Sequence, residues 1–200
     1  MAFLRKLRYR GAHKYWEHRY RTGGNSGAGS SGALAQYKAS IVNDLVKQHA
    51  IQSIVDFGCG DGEQLRLAEY PAYLGLDISP SAIQLCRIKF EHDHSKKFAV
   101  YHPDTFDAQQ ARADLALSME VIFHLTEEGV YQAYMKHLFA SATRFVVIFS
   151  SNEPDNTGGI FPHFKPRVFL PHVPAGWKLT RRIENPHRAV SISDFYIFEP

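Results

Sequence analysis

Apolar residues first recur at helical spacing between Ala33 and Ala50, where Leu34, Tyr37, Ile41, Val42, Leu45 and Val46 predict a helix with one packed face. The run Ser53-Ile54-Val55-Asp56-Phe57 is short, apolar and closed by glycines, which reads as a buried strand. The pattern then alternates. Tyr73 to Asp77, Lys97 to Tyr101, Asp114 to Ser118 and Arg144 to Ser150 read as strands, with helices over Ser81 to Phe90 and Glu127 to Phe139. Strands alternating with helices imply an α/β fold, a doubly wound and mostly parallel sheet covered on both faces. Past Ser150 the rhythm breaks: Ser151 to Pro174 is rich in Pro, Gly, Asn and His, and reads as a loop with one short helix. Trp177 to Ile183 and Ser193 to Phe198 close the chain as a hairpin, expected at the antiparallel edge of the sheet.

With 200 residues there is room for one sizeable core, so residues 1–200 are expected to form one domain, with 1–32 as an N-terminal segment. Met1 to Arg10 carries Leu4 and Leu7 among Arg5, Lys6, Arg8 and Arg10, without the apolar stretch of a secretory leader. No run approaches the roughly 18–20 apolar residues of a membrane helix, so no membrane partner and a cytoplasmic location are expected. Cys59 and Cys86 are too few for a disulfide framework and read as reduced thiols. A net charge of +3 falls well short of a dedicated nucleic-acid face. The basic N-terminal run leaves an acidic partner or a second copy of the chain open.

The sharpest chemical signal is Asp56-Phe57-Gly58-Cys59-Gly60-Asp61-Gly62, a strand running straight into three glycines. Such a turn brings backbone N–H groups close to a ligand at the carboxyl end of the first strand, where open α/β sheets bind. A dinucleotide fingerprint wants Gly or Ala three residues after Gly60, but position 63 is Glu. Asp77 ends the next predicted strand, about 20 residues beyond the first glycine, placed to accept hydrogen bonds from ribose hydroxyls.

These residues resemble the first motif and the ribose-binding acid of class I methyltransferases that use S-adenosylmethionine (SAM), a Rossmann-like family. The resemblance runs from about Ala33 to the end, including a last antiparallel strand. It implies Gly58, Cys59 and Gly60 packed under the methionine part of SAM, Asp56 near its ammonium, and Asp77 and Ile78 at the ribose. It further places Asp104 beside the adenine, and Ser118, Met119 and Glu120 facing the methyl donor.

The run Gly23 to Gly32 reads either as a flexible linker or as part of a lid, and Tyr15-Trp16-Glu17-His18-Arg19-Tyr20 before it favours a lid. This stretch, with Glu69-Tyr70-Pro71 and Ser193-Asp194-Phe195-Tyr196-Ile197, is similar to small bacterial saccharide O-methyltransferases of the kind found in mycobacterial methylmannose polysaccharide synthesis. That similarity alone adds Tyr15, Arg19, Ser30 and Tyr37 as cofactor contacts.

An alcohol acceptor must lose its proton, either to a base such as histidine or with help from a metal ion. Glu120 and His124 follow the fourth strand, and a helical turn there would put them on one face. With His163 they are similar to the metal site of small-RNA 2′-O-methyltransferases, whose second acid is replaced here by Phe123. A Mg²⁺ ion on Glu120, His124 and His163 would need waters or substrate oxygens to complete its shell. His124 as free base, as metal ligand or as structural residue therefore all stand. His137 reads as a surface residue, and His92 and His94 as a solvated turn.

Three functions follow. The first is O-methylation of a saccharide hydroxyl, with Phe161, Phe164 and Trp177 available to stack on sugar faces. The second, ranked below it, is 2′-O-methylation of an RNA end, with Lys165, Arg167, Arg181, Arg182 and Arg188 available to phosphates. The third is a non-catalytic SAM-binding module.

Overall fold

The structure is a computed structural model that describes residues 11–157 and 162–200. Its helices are α1 (Ala12–Arg21), α2 (Gly32–Gln48), α3 (Pro80–Lys89) and α4 (Glu128–Ala140). Its strands are β1 (Ser53–Phe57), β2 (Ala72–Asp77), β3 (Lys96–Val100), β4 (Ala113–Met119), β5 (Ala142–Ser150), β6 (Lys178–Ile183) and β7 (Asp194–Glu199). They form a seven-stranded sheet in the order β3-β2-β1-β4-β5-β7-β6. β1 to β5 run parallel, and β7 is antiparallel to both β5 and β6. This is the predicted α/β class, a doubly wound, Rossmann-like sheet that is mostly parallel.

The two faces of the sheet explain the helix patterns. On one face α2 and α3 bury Leu34, Val42, Leu45, Val46, Ile83 and Cys86 against Ile54, Leu115, Val147 and Phe149. On the other, α4 buries Tyr131, Tyr134, Met135 and Leu138 against Val55, Ala116, Val146 and Ile148. Each such side chain is worth about 1.5–3 kcal/mol when removed from water. α3 begins where it does because the Ser79 hydroxyl accepts from Ala82 N at 3.1 Å and Pro80 occupies the first turn. Between β1 and β2 the crossover is only a short 3₁₀ turn at Gln64–Leu67.

The closing hairpin forms the expected antiparallel edge of the sheet, with its two strands in reversed order. β7, last in the chain, lies inside the sheet between β5 and β6, and β6 forms the edge. The residue chemistry accounts for it: Asp194 to Phe198 are buried, whereas Lys178 to Arg182 are exposed and supply the charge that protects an edge strand. The segment after β5 is tied back by Asn152, whose Oδ1 accepts from Phe169 N and Leu170 N, and it holds the expected short turn at Leu170–His172. Trp177 packs on Phe139 in the core rather than offering a stacking face. Phe161 lies outside the described residues. Among the described residues no helix is long and apolar enough to cross a membrane.

The loop between β6 and β7 is held by one carboxylate. Asp194 accepts from Arg182 Nη2 at 2.7 Å, from Arg188 Nη2 and from Asn185 N at 3.0 Å. Asp194→Ala leaves the buried Asn185 N–H unpaired and is expected to cost about 2 kcal/mol, lowering Tm by about 4–8 °C in a thermal melt. Amide exchange across 184–193 should accelerate at the same time. An unchanged melt would show that the network contributes nothing.

Candidate functional site

The carboxyl ends of β1, β2 and β4 open into a cleft of about 630 Å³. Its floor is the glycine turn. Gly58 N and Cys59 N both donate to Leu76 O, at 2.7 and 3.0 Å, which bends the chain sharply off β1. Gly60 stands at φ 58°, and a Cβ there would strike the Ser26 hydroxyl, so only glycine lets the two loops meet. Asp77 completes the floor. Its Oδ2 accepts from Gly60 N at 3.0 Å and its Oδ1 from Ser79 N at 2.8 Å. Burial pushes its carboxyl up to about 6, against the pull of those two hydrogen bonds. Asp56 is likewise pushed up to about 6 by burial. Tyr73 Oη donates to its Oδ2 at 2.7 Å, and Oδ1 is buried without a partner among the described residues.

The described part of the N-terminal segment folds over this floor. Glu17 accepts from Ser79 Oγ at 2.6 Å, Ser81 Oγ at 2.7 Å and Ser81 N at 3.1 Å, pinning α1 to the start of α3. Ala12 N donates to Glu127 Oε1 at 3.1 Å, pinning its other end beside α4. The glycine-rich stretch follows suit: Ser26 Oγ donates to Asp61 Oδ1 at 2.7 Å while Tyr20 Oη approaches Ser26 Oγ at 3.1 Å. The flexible-linker reading therefore fails for residues 23–32, which line the cleft at Ser26 to Ser30.

Aromatic rings form the roof. Tyr15 stacks on His163 at 4.4 Å between centroids, and Trp16 meets the edge of His124 at 4.9 Å. Lys165 N donates to Phe123 O at 2.6 Å, which draws the His163–Phe164 segment against the short turn Ile122–His124. The His124 ring is held by its Nδ1, 2.7 Å from the His163 carbonyl. A carbonyl only accepts, so Nδ1 carries the proton and Nε2 keeps its lone pair. No described residue hydrogen-bonds to Nε2. Burial lowers the ring's pKa to about 4, and the ring is neutral at physiological pH.

Of the residues singled out from sequence, Tyr15, Arg19, Ser30, Asp56, Gly58, Cys59, Gly60, Asp77, Ile78, Met119, Glu120, His124 and His163 line the cleft. Three others do not. Tyr37 faces away and donates to Glu184 O at 3.1 Å; Ser118 is wholly buried behind the floor, bonded to Tyr134 Oη at 2.7 Å; Asp104 sits exposed in the turn 103–105. His137 is half-buried, with Nδ1 2.9 Å from Tyr101 Oη, rather than a plain surface residue. His92 and His94 are exposed as expected.

Glu120 and His124 do not share a face. Glu120 takes φ 61°, in the left-handed region, so the chain leaves β4 in no helical turn and the carboxylate goes elsewhere. Its Oε2 accepts from Lys38 Nζ at 3.0 Å and its Oε1 from Ser191 Oγ at 2.7 Å. With Nδ1 of His124 on a carbonyl and His163 stacked on Tyr15, no group of three metal-ligating side chains converges among the described residues. Glu120, His124 and His163 do not fit a metal ion as they stand. Lys38 and Ser191 escaped the sequence reading. Lys38 could have been found, since it falls four residues after Leu34 and four before Val42 on the packed face of α2.

The basic side chains considered for phosphate are largely committed. Arg167 donates to Leu125 O and, at 2.7 Å, to Glu128, and it lies over the Tyr131 ring. Arg182 and Arg188 are both paired with Asp194.

Comparison with known proteins agrees with this geometry. A methyltransferase domain family model matches residues 54–143. A small RNA 2′-O-methyltransferase of Arabidopsis thaliana is 27% identical over 137 residues, 62% of this chain, which spans only 14% of that protein's length. The solved N-methyltransferase NodS of Bradyrhizobium japonicum, with S-adenosyl-L-homocysteine (SAH) bound, superposes with a TM-score of 0.74 at 13% identity, covering 94% of this chain and 98% of that one. The methyltransferase domain of bacterial CtHen1 gives 0.63 at 19%, covering 82% and 97%. The matched segment holds the glycine turn, Asp77 and His124, so it is over residues 54–143, around the floor of the cleft, that this chain is similar to a methyltransferase domain.

Proposed function

We propose that this chain transfers a methyl group from SAM to a hydroxyl of a small saccharide-type acceptor, with His124 as general base. The state of His124 carries the reading: a neutral ring in the lining of the cleft, with Nδ1 held on a carbonyl and no described hydrogen bond at Nε2.

The cleft also fits the cofactor. The unpartnered Asp56 Oδ1 suits an ammonium, and Asp77 suits ribose hydroxyls with the lone pairs its two backbone contacts leave. Gly58, Cys59, Gly60, Ile78 and Met119 would lie beneath the cofactor, and Tyr15, Arg19 and Ser30 would close over it. When bound, SAM supplies a sulfonium methyl open to in-line attack. His124 would then accept the hydroxyl proton at Nε2, while α1 excludes water. Since the candidate metal ligands do not fit an ion, no step is assigned to one.

The enclosure supports a small acceptor: α1 covers a cleft that would also have to hold the cofactor, and its lining includes Tyr15, Trp16 and Phe164, the residue type that packs against sugars. The similarity to the Arabidopsis enzyme favours a second reading, an RNA 2′-hydroxyl. Against it, Arg167, Arg182 and Arg188 are already paired within the fold.

Labelled SAM offered with a panel of mono- and oligosaccharides and short RNAs tests both. Label on a saccharide, insensitive to EDTA and nearly indifferent to salt, is expected; label on RNA alone, with binding that weakens steeply in salt, would replace the saccharide reading. His124→Ala should lower kcat by about 10²–10⁴-fold while SAM affinity stays close to wild type, and unchanged turnover removes His124 from the chemistry.

The pH profile should divide. Asp56 and Asp77, with carboxyls near 6, take up protons as pH falls through that value, so SAM binding weakens below about pH 6. His124, titrating near 4, stays neutral, so kcat at saturating SAM should remain flat from about pH 5 to 8. An acid limb in kcat near 6.5 would contradict the buried-base assignment.

A further inference from the structure

Lys38 is the most deeply buried charge in the cleft. It comes from α2, is 2% exposed, and holds its ammonium 3.0 Å from Glu120 and 5.5 Å from the centre of the Phe149 ring. Its charge also acts on Asp56, the acid with the unpartnered oxygen. One ammonium thus pairs with Glu120 and acts at longer range on a second carboxylate. Close by is Ser193, wholly buried, with a hydroxyl that has no partner among the described residues, on the loop that Asp194 holds in place. Ser193 N reaches Ser191 Oγ at 3.3 Å, and that hydroxyl in turn donates to Glu120, so the serines, Glu120 and Lys38 form one connected corner of the cleft.

An ion pair buried this way is costly to desolvate and is weak evidence for stability. Other residues are shaped around it. Glu120 accepts a left-handed backbone to reach Lys38, and Gly29 passes so close that a Cβ would strike Glu120 Oε2. A ligand that carries an ammonium and a carboxylate on one carbon matches the corner: the ammonium to Asp56, the carboxylate to Lys38 and the unpartnered Ser193 hydroxyl.

We propose that Lys38 exchanges partners when the cofactor enters, leaving Glu120 for the carboxylate of the cofactor's amino-acid end, so that Glu120 is released into the cleft only when cofactor is bound. This rests on the SAM-binding reading above. Lys38 is then a specificity-determining residue, and Glu120 competes for it in the empty enzyme. The competition gives the two residues opposite effects on binding, which a merely structural ion pair would not.

The test is calorimetric binding of SAH and of its carboxylate-free analogue, 5′-deoxy-5′-(3-aminopropylthio)adenosine, to the full chain. Wild type should prefer SAH, and Lys38→Met should weaken SAH by about 10- to 100-fold while leaving the analogue nearly unchanged. Glu120→Gln should tighten SAH by about 3- to 10-fold by freeing Lys38. Where Lys38→Met loses its thermal transition, the double variant Lys38→Met/Glu120→Gln, which strands no buried charge, takes its place and should show the same lost preference for SAH. Equal weakening of both nucleosides by Lys38→Met, no effect on either, or weaker SAH binding by Glu120→Gln each overturns the exchange. The absence of an effect would move the carboxylate to another cation, with Arg19 next along the cleft. If wild type binds neither nucleoside, the SAM-binding reading fails first and this inference falls with it.

Discussion

One carboxylate organises the site. Asp77 accepts from the glycine turn with one oxygen and from the start of α3 with the other, joining two loops that would otherwise part at the open end of the sheet. The same α3 terminus, through Ser79 and Ser81, receives Glu17 from α1. The roof is therefore anchored to the group that shapes the floor. A buried acid in this position is expensive for the fold, as its raised pKa records, and hydrogen bonds alone do not offset the burial. Holding such a group where it can accept further donors is a cost to the empty protein that a bound polyol or ribose would reduce.

Charge is distributed on a plain principle in this molecule. Several arginines are used to hold loops: Arg167 is buried on the Leu125 carbonyl and Glu128, and Arg182 and Arg188, themselves exposed, both pair with the buried carboxylate of Asp194. Among the buried polar atoms without a described partner, an oxygen of Asp56, the amide oxygen of Gln64 and the hydroxyl of Ser193 belong to residues that line the cleft. Unpaired polar atoms are tolerated in a protein where something else is to meet them.

Much of this was legible in the sequence because it depends on local pattern. The alternation of apolar runs gave the order of the elements, and the glycines after Phe57 with Asp77 twenty residues on located the floor. What could not be read depends on direction in space. Tyr37 and Lys38 are neighbours on one helix, yet the first points outward to Glu184 and the second into the cleft, since adjacent residues stand about 100° apart on a helix. Glu120 and His124 have the spacing of a shared helical face, but a single left-handed residue at the end of β4 sends them to different partners. The role of α1 as a roof rests on Glu17 reaching residues more than 60 positions away, which no periodicity records.

The place of β7 in the sheet carries a consequence for how the molecule is assembled. β6 precedes β7 in the chain but touches the sheet only through it, so β6 has nothing to join until β7 has paired with β5. Until then β5, with Val146 to Phe149 wholly apolar, presents an open and sticky edge of the kind that recruits other chains. The wall bearing Ser191 and Ser193 is closed in the same event. Assembly of the binding cleft and protection from aggregation are thus one step, and that step waits on the last strand.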